Sequence, residues 1–134
     1  MSEYSRSPLR SNLGRVRALG SARHGARHWW MERLTSLALI PLSLWFMASL
    51  LQNLLGADAQ GVAAWLSSPF SALLMAALTF IGFMHAKMGL QVVIEDYVHS
   101  EAKKIALTLF KDTCCYALGA LALVAIAKLH FIGL

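Results

Sequence analysis

Between Arg33 and Lys87 the sequence has neither lysine nor arginine, and Asp58 is the only acid in that stretch. The scarcity is general: 14% of the 134 residues are charged, where a soluble domain carries about 25%. A run this long without cations cannot clothe a soluble surface, but it accommodates two bilayer spans of roughly 20 apolar residues each. Cysteine is also scarce. Cys114 and Cys115 are adjacent, a spacing that seldom bridges and does not suit a metal site, so they read as small core residues. No iron–sulfur ligand set, dinucleotide fingerprint, phosphate loop, internal repeat or low-complexity block is present. The chain therefore does not carry those cofactors itself.

What charge there is gathers at one end. Residues 1–33 hold seven arginines (Arg6, Arg10, Arg15, Arg17, Arg23, Arg27 and Arg33) against Glu3 and Glu32, and account for most of the net +5. A basic segment of this kind suits nucleic acid, a targeting peptide or a cytoplasmic membrane flank. Nucleic-acid binding is excluded because the arginines are scattered, form no recognition motif and run straight into an apolar segment. A secretory signal is excluded because that segment is too long and ends in no small-residue cleavage site. A mitochondrial presequence, rich in Arg and Ser, is the rival reading. We expect a retained basic cytoplasmic tail over 1–33, extended up to residue 27 and lying against partner subunits.

The remainder, 34–134, reads as an all-α, three-helix membrane unit with spans at about 34–55, 70–94 and 105–129. Trp29 and Trp30 suit the headgroup interface. Pro41 lies inside the first span, where it frees the Leu37 carbonyl, a break that membrane helices tolerate. Residues 56–68 are expected to form a short polar loop with a turn around Trp65, and Pro69 to start the second helix. A charged turn is expected over 95–104. Lysine and arginine cluster in the tail and in that turn (Lys103, Lys104), whereas the 56–69 loop has none. The positive-inside rule then puts the N-terminus inside and the C-terminus outside.

Four residues stand out chemically. His85 is an ionisable group within an apolar helix, a functional hypothesis by default; the alternative is a histidine hydrogen-bonded to a neighbouring helix. Gly89, one turn on and on the same face, leaves bare helix surface of the kind a porphyrin beside an axial histidine needs; close helix packing is the alternative. Asp96 follows His85 by eleven residues, about three turns, and shares its face if the helix continues. The Tyr97 phenol suits hydrogen bonding to a quinone carbonyl, with a carboxylate nearby to relay protons. From spacing alone, however, Asp96 and Tyr97 read more simply as a solvated turn and a belt aromatic. Lys87 is expected to snorkel towards the inner surface. Lys111 and Asp112 read as an interfacial pair or a partner contact, His99 as a turn residue, and His24 and His130 as interfacial.

The run Met84-His85-Ala86-Lys87-Met88-Gly89-Leu90-Gln91-Val92-Val93-Ile94-Glu95-Asp96-Tyr97 resembles the second helix of the small cytochrome b anchor of succinate dehydrogenase. That family shows His, Gly four on, and Asp-Tyr eleven and twelve on. Leu19-Gly20-Ser21-Ala22, Gly25 and His28-Trp29 resemble the entry to the first helix in its proteobacterial branch. The resemblance implies that His85 is an axial ligand of haem b (its metal being the haem iron), with the second histidine on a larger cytochrome b anchor. It implies that Gly89 gives haem clearance, that Tyr97 bonds ubiquinone and that Asp96 supports that site. Arg33 would meet a haem propionate, with a lipid phosphate as the equal alternative. A flavoprotein and an iron–sulfur subunit complete the implied complex, and the chain alone would be non-catalytic. The implied location is the bacterial inner membrane, or else the mitochondrial one. An anchor of quinol:fumarate reductase, and a non-haem structural subunit of another membrane complex, remain alternatives.

The orientation has a direct test. Reporter fusions after residue 57 and after residue 134 should both read as external, and a cytoplasmic C-terminus would overturn the three-span topology.

Overall fold

The computed structural model describes the backbone of residues 23–131 and side chains from residue 27 onward. Most of the basic tail therefore lies outside the described residues, as do its expected retention and partner contacts. The described residues are all-helical: α1 (Arg23–Ser49), α2 (Ala59–Ser67), α3 (Pro69–Tyr97) and α4 (Glu101–Phe131). Three helical segments, Arg27–Leu54, Pro69–Tyr97 and Glu101–Phe131, are long and apolar enough to cross a membrane. The shortest, 28 residues, measures about 42 Å at 1.5 Å per residue, longer than the roughly 30 Å hydrocarbon layer. Each helix therefore carries polar residues at its ends, and each exceeds its expected span. Helix α1 is already formed at Arg23, so residues 23–27 are helical rather than extended.

Helix α1 runs through Pro41 without interruption and ends by widening. Residues Leu50–Leu54 form a π-helical turn closed by Leu55 N–H donating to Leu50 O at 2.8 Å. A tight turn follows, with Ala57 N–H bonded to Leu54 O at 3.0 Å. Leu55 has φ −67° and ψ 112° and Gly56 has φ +83°, the dihedrals of a type II turn, whose third residue needs φ > 0 and so favours glycine. Asp58 then caps α2, its Oδ1 accepting from Gly61 N–H at 2.8 Å.

The expected polar loop over 56–68 is thus mostly a helix, and α2 closes one end of the bundle. Trp65 stacks on Trp45 of α1 at 5.6 Å between ring centroids, and Phe70 meets Trp45 edge-on at 6.4 Å. Leu66 is buried, and its carbonyl lies 2.9 Å from His130 Nδ1 at the far end of α4. His130 is therefore tied to α2.

Helix α3 is the middle of the bundle. It packs against α1 on one side and α4 on the other, while α1 and α4 do not pack together among the described residues. The approach of α4 is close at Gly119, where a Cβ would come within 3.3 Å of the Phe83 ring. The expected 95–104 turn shrinks to Val98–Ser100. Glu95, Asp96 and Tyr97 belong to the last turn of α3, and α4 begins at Glu101.

A polar cluster joins α3 to α4. Lys111 is 7% exposed and donates from Nζ to Gln91 Oε1 (2.7 Å) and Lys87 O (3.4 Å), with Asp112 Oδ1 3.0 Å away. Lys87 turns into the same cluster. Its Nζ bonds the Tyr116 hydroxyl, packs over that ring and sits 3.9 Å from Asp112 Oδ1. It does not snorkel, because a counter-charge and an acceptor lie on the neighbouring helix. Gln91 completes the set by donating to Glu95 Oε1 at 2.6 Å.

Asp112→Leu would leave two ammonium groups facing each other without a carboxylate. Breaking a buried pair costs up to about 3–5 kcal/mol, and less here because Asp112 keeps one third of its side chain exposed. The thermal midpoint of the detergent-solubilised protein should fall, and adding Lys111→Met should restore much of it. An unchanged midpoint in Asp112→Leu would show that the cluster does not hold α3 to α4.

Candidate functional site

Helix α3 presents His85 half-buried, against α1. The His85 Nδ1 lies 3.0 Å from Thr35 Oγ1. The same hydroxyl oxygen is 2.9 Å from Met31 O and 3.0 Å from Glu32 O, the carbonyls of the preceding turn of α1. One turn beyond His85, a Cβ built on Gly89 would meet no atom within 4 Å, and the same holds at Gly82. At about 100° per residue, Gly82 and Gly89 fall about 40–60° round the helix from His85, next to the exposed Ala86 and Val93. The histidine therefore borders a strip of α3 bare of bulky side chains and uncovered by the other described residues. Among the described residues no group of three or more His, Cys, Asp or Glu side chains gathers at one point.

Because α3 continues to Tyr97, Asp96 does lie on the His85 face, about three turns away. Both Asp96 and Tyr97 are exposed, Tyr97 at 79%. They sit at the same end of α3, with their side chains about 100° apart round the axis. Among the described residues, neither is covered by α1 or α4.

Arg33 is not brought to His85. Its guanidinium packs 4.2 Å over the Trp29 ring, on a side of α1 about 160° round from Thr35. Among the described residues, the basic side chains of α1 that do reach α3 are Arg27 and His28. They line a cleft of about 450 Å³ with Met84, Lys87, Met88 and Lys111. His28, Trp29 and Glu32 also meet Val92 and Glu95 across a second cleft. Cys114 and Cys115 are free and half-buried.

Two features escape a reading along the chain. Thr35 looks like an ordinary polar residue tolerated in a membrane helix, and only the packing of α1 on α3 reveals its partner. The Lys87–Gln91–Lys111–Asp112 cluster did leave a signal, since cations inside an apolar run demand partners. Helical spacing supports half of it, because Lys87 and Gln91 are four apart and share a face. The partner helix remained undefined.

The family model described as "Succinate dehydrogenase/Fumarate reductase transmembrane subunit" matches residues 7–129. The succinate dehydrogenase hydrophobic membrane anchor subunit of Rickettsia bellii is 32% identical over 67% of this chain and 71% of its own. The subunit of the same name from Paracoccus denitrificans is 30% identical over 83% and 84%. The succinate dehydrogenase membrane anchor subunit of Reclinomonas americana is 28% identical over 60% and 69%.

Proposed function

Because the chain belongs to the succinate dehydrogenase/fumarate reductase transmembrane subunit family, as a membrane anchor subunit, we propose that it holds one side of a haem b site through His85 and one side of a ubiquinone site through Tyr97. The observation that carries the first half is the pairing on α3 of a half-buried histidine with an open, side-chain-free strip at Gly89. A porphyrin plane needs that strip bare, while the Thr35 contact by itself also suits a packing histidine. Haem, when bound, supplies a one-electron carrier between the soluble subunits and the membrane. His85 would contribute one axial nitrogen, and a larger cytochrome b anchor packed on the open strip would contribute the other.

The Tyr97 hydroxyl would donate to a quinone carbonyl, with Asp96 close enough along the helix end to orient that donor or take part in proton transfer. Their exposure suits a site whose other walls belong to the partner anchor and the iron–sulfur subunit. In this reading the end of the bundle bearing Trp29, Asp96 and Lys103 faces the cytoplasm or matrix, where the flavoprotein and iron–sulfur subunits dock. The membrane is the bacterial cytoplasmic membrane or its mitochondrial counterpart. Succinate chemistry lies wholly in the soluble subunits, and this chain positions the acceptors.

In the assembled complex, His85→Ala should abolish or alter the low-spin bis-histidine haem spectrum; an unaltered spectrum would reject His85 as a ligand. Tyr97→Phe keeps ring area and depth and deletes one hydroxyl. A neutral hydrogen bond is worth about 0.5–1.5 kcal/mol, and more when the acceptor gains charge, while tenfold in rate is about 1.4 kcal/mol. Quinone reduction should therefore fall severalfold to a hundredfold, with succinate oxidation by an artificial acceptor intact. Wild-type quinone reduction would remove Tyr97 from the site, and parallel loss of both activities would indicate misassembly.

A further inference from the structure

The hydroxyl of Thr35 has one hydrogen and three neighbours. Two are carbonyl oxygens, Met31 O at 2.9 Å and Glu32 O at 3.0 Å, and the third is His85 Nδ1 at 3.0 Å. Carbonyl oxygens only accept, whereas an imidazole nitrogen donates or accepts according to tautomer. If the hydroxyl hydrogen pointed at Nδ1, both carbonyls would face oxygen lone pairs at hydrogen-bonding distance with no hydrogen between. If it points back at the preceding turn, as helical threonines commonly place it, the oxygen retains a lone pair for the ring. The arrangement in which every contact attracts has Nδ1–H of His85 donating to Thr35 Oγ1.

We propose that Thr35 is a positioning residue that holds His85 as the Nδ1–H tautomer, so that Nε2 carries the lone pair offered to iron. The proposal rests on the reading of His85 as a haem ligand and adds to it the group that prepares the ligand. Iron-bound histidines commonly donate their other N–H to an acceptor, which fixes the ring and raises the basicity of the ligating nitrogen. Here that acceptor comes from α1, so the packing of α1 on α3 sets the ligand's tautomer. A more basic axial nitrogen favours oxidised iron, and loss of the bond should move the haem midpoint potential upward. An ordinary interhelical hydrogen bond that merely satisfies a polar side chain would not have these consequences.

The test uses the assembled four-subunit complex carrying Thr35→Val, Thr35→Ala or Thr35→Ser. The readouts are haem per complex after extensive washing, the low-spin spectrum and the haem midpoint potential. Loss of such an outer partner typically weakens metal binding about 10- to 100-fold. The Val and Ala complexes should therefore retain less haem, with a raised potential in what remains, and Ser should match wild type. Wild-type haem content, spectrum and potential in Thr35→Val would overturn the proposal. So would a Ser variant as impaired as Val, since the methyl group and not the hydroxyl would then matter. If the Val complex does not assemble, the Ala and Ser pair decides on the same criteria. His85→Ala with an intact bis-histidine spectrum would remove the ligand assignment and this proposal together. Loss of that spectrum in His85→Ala alongside a silent Thr35→Val would reject the role of Thr35 alone.

Discussion

Hydrocarbon offers no hydrogen bonds, and every polar group placed in it must find a partner within the protein. The rest of this structure follows from that constraint. It makes the spans helical, since a helix satisfies its own backbone. It governs the side chains too: Lys111 is surrounded by Gln91, Asp112 and the Lys87 carbonyl, and His85 is matched with Thr35. Where α1 must end and turn, the exit is built from backbone bonds, a π-helical turn and then a glycine-dependent type II turn.

Placing α3 in the middle divides the labour among its faces. The face towards α4 carries Phe83 against Gly119 and the lysine–aspartate cluster, which tie the two helices together. The face towards α1 carries His85. The strip beside it, with Gly82 and Gly89, is covered by neither neighbour. The proposed sharing of haem b with another anchor needs such a division: one side closed by α1 and α4, one left for the partner. The many exposed large apolar side chains, Leu37, Leu44, Leu73 and Leu121 among them, are what a lipid- and partner-facing surface requires, since contiguous apolar patches of this extent are rare on soluble monomers.

The opposite end of the bundle is built differently. Trp45, Trp65 and Phe70 pack together beneath α2, and His130 reaches across to the Leu66 carbonyl. The aromatic-packed end and the end with Asp96 and Tyr97 are thus separated by the length of α3. Side chains proposed to handle quinone sit where another subunit can complete a wall around them.

The class of the molecule, the number of spans and the candidate residues on α3 are legible along the chain. Apolar length, the gap in charge between Arg33 and Lys87, and the distances from His85 to Gly89 and Asp96 are one-dimensional quantities, and a helix converts them directly into depth and face. Helix ends were less legible. Glu95, Asp96 and Tyr97 look like turn residues, yet α3 absorbs them because three residues suffice to reverse the chain. Residues 56–68 look like a loop, yet Asp58 caps a helix there. The partners of side chains in different helices were not legible at all. Nothing near Lys87 in the chain says that it meets Tyr116 and Asp112, and nothing in an apolar run marks Thr35 as the neighbour of His85. Those pairings depend on which face of α1 and of α4 turns towards α3. Helices apolar on every side carry no amphipathic stripe to specify that rotation, so it is set by close packing and by the need to pair buried polar groups.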